Sequence, residues 1–354
     1  MRNDITIVLS AADVKLIVEK RTLNQLMDDL IFQLTEEFKN FNPSKTIIPI
    51  RSGFNYSGDL PGLIEWMPIY ETNKEVVLKV VGYHPKNPFK FNLPTILSTI
   101  SSYDSKTGHL KGLVDGVLLT ALRTGAASAV ASKYMAHVDS SVLGLIGCGA
   151  QSITQLHAIS RLFPINRILL FDNDLEAVNS FEKRCSILEL EVDIEFTEIE
   201  ALMSQSDIIC TATSIDVGKG PLFESYSCKP HLHINAIGSD FPGKIELPLT
   251  LLRNSFVCPD FKEQAKKEGE CQQLNDDEIG PDLVHVIQNN ADYKQLSNIL
   301  TVFDSTGLAL EDKVVMDLFL DQAEYLGIGK KIGLENINED VFNPYSGIRS
   351  KVFS

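Results

Sequence analysis

Three groups of residues in this 354-residue chain have the types and spacing to do chemistry together. The first follows the apolar run Val142–Ile146, which leads into Gly147-Cys148-Gly149 and then into the helix-like stretch QSITQLHAIS. Glycine at 147 permits a tight turn. Glycine at 149 lets backbone amides, with Ala150 and Gln151 next in line, approach a pyrophosphate at a helix N-terminus. Ser152 stands where a third glycine is usual, and a small side chain there still allows close helix packing. The second group is the end of the next apolar run, RILLFDND, where Asp172 lies 23 residues after Gly149. A carboxylate at that point accepts hydrogen bonds from the ribose hydroxyls of an adenosine and repels a 2′-phosphate, so the dinucleotide expected is NAD rather than NADP. A purely local reading is also open, in which Asp172 caps a helix starting near Leu175. The third group closes the run SDIICTATS. Thr211, Thr213 and Ser214 sit at a strand's carboxyl end, where open α/β sheets bind ligands, and they border a nicotinamide ribose or are simple loop hydroxyls.

These groups need a parallel sheet to hold them. From residue 142 onward strand and helix signals alternate, with strands at Val142–Ile146, Arg167–Phe171, Asp207–Thr211, Leu232–Ile237, Phe256–Pro259 and Ile299–Phe303. Helices are expected at Gln151–Phe163, Leu175–Leu188 and Glu198–Gln205. Such alternation predicts a doubly wound α/β sheet covered on both faces. Before it, Leu23–Phe41 carries apolar residues at helical spacing, while Thr46–Ile50, Leu63–Met67 and Glu75–Val81 read as strands of an antiparallel or mixed sheet. The small-residue segment LLTALRTGAASAVASKYMA (118–136) reads as a helix bridging two lobes, and a helix over Ala309–Tyr325 returns to the first.

Composition narrows the partners. A formal net charge of −15 and no basic run argue against nucleic acid. Hydrophobic residues at 44% and charged residues at 22% are those of an ordinary folded chain. No stretch has the roughly 20 consecutive apolar residues of a membrane span, and the polar N-terminus does not read as a secretory signal. The six cysteines (Cys148, Cys185, Cys210, Cys228, Cys258, Cys271) have neither metal-ligand nor disulfide-framework spacing, which predicts reduced thiols in the cytoplasm and no metal.

Several segments together resemble the ornithine cyclodeaminase and μ-crystallin family: GLIEWMP (62–68), LKVVGYHPKNP (78–88), LLTALRTGAASAVASKYMA (118–136), IGCGAQ (146–151), HINAIGSDFPGKIEL (233–247), EGECQQL (268–274) and FDSTGLALED (303–312). The resemblance implies an α/β fold in which a Rossmann-type doubly wound NAD domain, 123–314, is inserted in an α+β substrate-binding and dimerisation domain made of 1–122 and 315–354. It implies a homodimer formed through the first lobe's sheet, and a small amino acid as substrate.

By the same resemblance Arg51, Lys79 and Arg123 gather around the substrate carboxylate, for which fixed cationic donors are the natural partners. Asp240, in GSDFPGK, resembles the family's catalytic aspartate, and its place after the run HINAIG suits a general acid/base, although Pro242-Gly243 also favours a simple turn. Glu65 resembles the cyclodeaminase version of its segment and orients water or a distal amine; Lys244 is a secondary candidate. Asp304, Ser305 and Thr306 are implied to approach the nicotinamide and the substrate side chain. The activity implied is conversion of L-ornithine to L-proline and ammonia by internal hydride transfer. An alanine dehydrogenase or ketimine reductase is the rival reading, because RTGAA, IGCGAQ and FDSTGLALED fit that branch as well, and a ligand-carrying μ-crystallin-like protein is the non-enzymatic one. Phe241, and the wording of Val81 to Tyr83, depart from the family's usual pattern and put the pocket's side-chain preference in doubt.

Overall fold

Two sheets organise the chain, and the computed structural model describes residues 5–224, 226–337 and 340–348 of it. The outer ends of the expected first lobe, 1–4 and 349–354, lie outside the described residues. The first sheet contains β1 (Thr6–Leu9), β2 (Thr46–Ile47), β3 (Ser52–Tyr56), β4 (Gly62–Glu71), β5 (Glu75–Tyr83), β6 (Ile96–Asp104), β7 (Leu110–Asp115) and β15 (Lys330–Ile332), ordered β15-β1-β7-β6-β5-β4-β2 with β3 also paired to β4. It is mixed: β1 runs parallel to β7 and the other pairs are antiparallel. Period-two alternation sets its faces. Leu63, Glu65 and Met67 on β4, with Val77, Lys79 and Val81 on β5, turn one way, whereas Ile64 and Val80 are exposed on the other.

The second sheet is wholly parallel, with β8 (Val142–Ile146), β9 (Arg167–Phe171), β10 (Asp193–Phe196), β11 (Ile208–Thr211), β12 (His233–Ala236), β13 (Phe256–Pro259) and β14 (Thr301–Asp304) in the order β10-β9-β8-β11-β12-β14-β13. Strand order reverses between β8 and β11, which opens a crevice at their carboxyl ends. Its central strands β11, β12 and β14 are buried throughout, as a sheet covered on both faces requires.

The helix Val117–Met135 lies against β6 of the first sheet and β12 and β14 of the second. Its small residues make that possible: Ala126, Ala127, Ala129, Val130 and Ala131 are fully buried. A Cβ on Gly125 would fall 2.4 Å from the Thr154 carbonyl oxygen, so only glycine lets this helix touch the helix Ala150–Ser160. The helix Ala309–Leu326 packs on β4, β5 and the helix Leu23–Asn40, carrying Glu311 and Asp312 into the first lobe.

Some expected elements differ. The strand over Thr46–Ile50 shrinks to Thr46–Ile47, and the chain extends again only at β3. The helix expected over Leu175–Leu188 divides into Leu175–Asn179, Phe181–Cys185 and a 3-10 turn at Ser186–Leu188, with the break at Ser180, whose hydroxyl bonds the Ala177 carbonyl.

Candidate active site

The crevice of the second sheet and the inner face of the first enclose one cavity of about 1350 Å³. Gly147 follows β8 with φ +95°, and a Cβ there would sit 2.6 Å from the Ala212 carbonyl oxygen, so the tight turn admits no side chain. Gly149 is the N-cap of the helix Ala150–Ser160 and has no side chain to cap it, and a Cβ on it would meet nothing within 4 Å. The result is a bare helix N-terminus open to the cavity, the cradle a pyrophosphate fits. Gly147, Gly149, Ala150, Gln151, Asp172, Thr213, Ser214 and Ser305 all line the cavity.

Asp172 does not cap the following helix. Its Oδ2 accepts the Cys148 N–H at 2.6 Å and its Oδ1 the Asp174 N–H at 2.8 Å, while Asp174 is the cap, accepting from the Glu176 and Ala177 amides. The carboxylate thus ties β9 to the glycine turn and stands at the cavity edge, where an adenosine ribose would lie.

Two expected cofactor contacts are corrected. Thr211 is fully buried, and its Oγ1 donates to Glu246 Oε2 at 2.6 Å. Glu246 also accepts the Thr213 amide and hydroxyl and the Gly238 amide, so it joins the ends of β11 and β12 from behind. Asp304 likewise turns away from the cavity, accepting the Glu270 and Cys271 amides at 2.9 and 2.7 Å. Both residues end strands, but alternation points their side chains into the protein, where unpaired backbone donors need acceptors.

The opposite wall brings Arg51, Glu65, Lys79 and Arg123 together with Asp240 and Lys244. Each cation meets a carboxylate. Arg51 contacts Glu268 through Nη2 and Glu65 through Nε at 3.5 Å, and donates to the carbonyls of Thr306 and Asp240, each at 2.9 Å. Lys79 pairs with Asp312, and Arg123 with Glu311 at 2.8 Å and Asp312 at 3.1 Å. Gly307, at φ +96°, leaves room for the Arg123 guanidinium, which a Cβ would approach to 2.9 Å. Asp240, after β12, faces the cavity with Oδ1 3.0 Å from Lys244 Nζ, which rests 5.3 Å from the Tyr83 ring centre.

Burial and pairing move several of these groups. Burial, aided by the neighbouring Arg123 charge, brings the Lys79 ammonium down to about 8. Burial raises Glu268 to about 7 against the pull of Arg51, and raises Glu311 to about 7 against Arg123. Burial opposes the charge of Arg51, but Glu268, Glu65 and Asp240 outweigh it and hold the guanidinium above its ordinary value.

Glu268, Glu311, Asp312, Asp260 and Glu246 were not singled out as site residues from the sequence. Asp260 is among the most connected, accepting the Phe261 and Gly307 amides at 2.6 Å each and the hydroxyls of Ser305 and Thr306. The one available signal was Glu311-Asp312, an acidic pair in an otherwise apolar helix start.

A dinucleotide cradle at the switch point of a parallel sheet, facing buried cations and carboxylates gathered from the mixed sheet and the helices beside it, defines a two-lobed NAD-dependent enzyme. The chain belongs to the ornithine cyclodeaminase/mu-crystallin family, whose family model matches residues 10–325. It is 42% identical to the L-lysine cyclodeaminase of Streptomyces rapamycinicus over 342 residues, 96% of this chain and 99% of that one. It is 33% identical to the ornithine cyclodeaminase of Agrobacterium fabrum over 291 residues, covering 82% and 80%. Among solved structures, a lysine cyclodeaminase studied for its recognition of L-lysine, L-ornithine and L-2,4-diaminobutyric acid superposes with a TM-score of 0.93 at 45% identity, covering 97% and 99%. An archaeal alanine dehydrogenase dimer with bound NAD superposes with 0.81 at 29% identity, covering 93% and 99%.

Proposed function

We propose that this protein is a cyclodeaminase of L-α,ω-diamino acids, converting L-lysine to L-pipecolate and ammonia, with L-ornithine to L-proline as the shorter-chain reaction. The observation that carries the reading is the surplus of negative charge beside Arg51: one guanidinium contacts two carboxylates, Glu268 and the cavity-lining Glu65. A substrate with a second ammonium at its far end compensates that surplus, whereas the methyl of alanine leaves it unpaired. Similarity to the lysine enzyme along nearly the whole chain supports lysine ahead of ornithine.

In this reading Arg51, Lys79 and Arg123 hold the α-carboxylate, and Glu65 receives the distal ammonium. NAD held at Gly147, Gly149, Ala150, Gln151 and Asp172 would supply a hydride acceptor that also gives the hydride back, so that the reaction has no net oxidation. Asp240 takes the proton from the attacking amine and delivers a proton to the departing ammonia. Apposition of the two lobes keeps water from the imino acid.

The open face of the first sheet, with Phe54, Ile64, Val80 and Leu97 exposed, supports a homodimer joined there, as does the dimeric state of the archaeal alanine dehydrogenase. Among the described residues no helix is long and apolar enough to cross a membrane.

The test is incubation with L-lysine, L-ornithine or L-alanine and a catalytic quantity of NAD. Ammonia formed in equal amounts with L-pipecolate from lysine or L-proline from ornithine, in large excess over the cofactor and without accumulating NADH, is the expected result, with no such product from alanine. Stoichiometric NADH with a 2-oxo acid product would establish the dehydrogenase reading instead.

A further inference from the structure

Arg51 belongs to the first lobe, yet four of its polar contacts reach across to the second. Its backbone N–H donates to Gln264 Oε1 at 3.0 Å, its guanidinium donates to the Asp240 and Thr306 carbonyls, and Nη2 meets the Glu268 carboxylate. Gln264 and Glu268 are four residues apart on the helix Lys262–Glu268, so they grip Arg51 from one side, and Gln264 Nε2 also donates to Glu268. Glu268 is 5% exposed and stands behind Arg51, off the cavity wall.

The charge count then poses a problem for any carboxylate ligand. Arg51 is already matched by Glu65 and Glu268, Lys79 and Arg123 by Asp312 and Glu311, so an anion added here finds no uncompensated cation. A carboxylate that brings no ammonium to Glu65 has room only if one buried acid takes up a proton.

We infer that Glu268 is a positioning residue: it fixes the direction of Arg51 across the two lobes and, by taking up a proton, yields that guanidinium to the substrate carboxylate. The inference rests on the proposed role of Arg51 in carboxylate binding. The groups facing Glu268 are Arg51, Glu65 from β4 and Gln264 of its own helix, and burial already brings the carboxyl to about 7. Protonated, it remains a hydrogen-bond acceptor for Arg51 without competing for the charge.

The test uses the NAD-saturated protein and pyruvate, a monocarboxylate without any amine, titrated calorimetrically between pH 6 and 8, a window in which discharge of Lys79, near 8, takes at most about twofold from binding in wild type and variants alike. Full coupling to a group titrating near 7 weakens wild-type binding by about tenfold across that window. Glu268→Gln, which mimics the protonated acid, is expected to bind as tightly as wild type at pH 6 and to show no such decline. Glu268→Ala, which loses the grip, is expected to bind about tenfold more weakly at every pH. Melting temperature and the fluorescence of Trp66, the one tryptophan of the chain, establish that each variant is folded. A Gln variant that keeps the wild-type pH dependence, or a wild type that has none, overturns the role of Glu268 alone. Wild-type protein that binds no pyruvate at any of these pH values overturns the carboxylate site itself.

Discussion

Lys79 Nζ lies 2.8 Å from each carboxylate oxygen of Asp312, and neither residue is more than 1% exposed. The two are 233 positions apart, Lys79 on β5 and Asp312 in the first turn of the helix Ala309–Leu326. The pair therefore closes the chain on itself and also presents a cation to the cavity. Removing one partner leaves an uncompensated buried charge, so Asp312→Ala should cost about 3–5 kcal/mol of stability. The double variant Lys79→Met/Asp312→Leu should recover most of that loss in chemical denaturation while the KM for the amino acid stays raised. A double variant no more stable than Asp312→Ala would show that the pair is not the source of the loss.

The same lysine sets a pH limit. Its folded-state value is depressed to about 8, so the ammonium form is the costly one in the fold: the stability contribution is present above 10.5 and lost as pH falls through 8. With Lys79 holding the substrate carboxylate as proposed, binding needs that costly form, and kcat/KM for the amino acid should decline above about pH 8. Lys79→Arg keeps its charge throughout and should shift the decline upward, with a lower plateau because a planar guanidinium does not occupy the position of an ammonium. A decline left at the same pH in the variant assigns it to another group.

Asp240 is the one carboxylate of the cluster that both lines the cavity and is a third exposed, with Lys244 on one oxygen. Asp240→Asn removes the proton acceptor while keeping the shape, and turnover should fall by about 10² to 10⁴. NAD affinity, measured by quenching of protein fluorescence, should change less than about twofold, since the dinucleotide cradle lies on other loops. Loss of both together would mean that the residue supports the fold rather than the chemistry.

Asp172→Ser should raise the KM for NAD at least about tenfold and narrow the preference over NADP, because it removes the acceptor for the ribose hydroxyls and the charge that repels a 2′-phosphate. Part of the change acts through the glycine turn, which Asp172 holds by the Cys148 amide. Initial rates with both cofactors measure it, and an unchanged ratio would remove Asp172 as the selector.

What could be read in advance follows how far apart the interacting residues are. β8, β9 and β13 coincide with the expected spans because strands buried in a parallel sheet are short apolar runs whose ends are marked locally. β3 was missed: SGFNY is exposed along its length and rich in turn formers, and becomes a strand only by pairing with β4. The dinucleotide cradle was legible because glycine spacing and the next strand's acid lie within one βαβ unit. The carboxylates that neutralise the cations were not, since Arg51 meets Glu268 and Arg123 meets Glu311 only after folding. Thr211 and Asp304 were misplaced because a strand end specifies position but leaves the facing direction to the pleat.

Asp304 gives the sharpest pH test of that correction. Burial raises its carboxyl from 3.8 to about 7, with the two amide donors of the 270–271 turn working in the opposite direction. A raised acid contributes stability that is present below 3.8 and lost as pH rises through about 7. Wild type should therefore lose stability relative to Asp304→Asn between pH 5 and pH 8. At pH 5 the variant should be the weaker by about 1–2 kcal/mol, because its amide accepts one backbone bond well and crowds the other donor. At pH 8 the wild-type carboxylate bears the cost of a buried charge, and the gap should close or invert. Throughout, the KM for NAD should stay within about twofold of wild type, as expected for a site with no shared partners. A constant gap across pH, or a large rise in KM, would instead return Asp304 to the cofactor site.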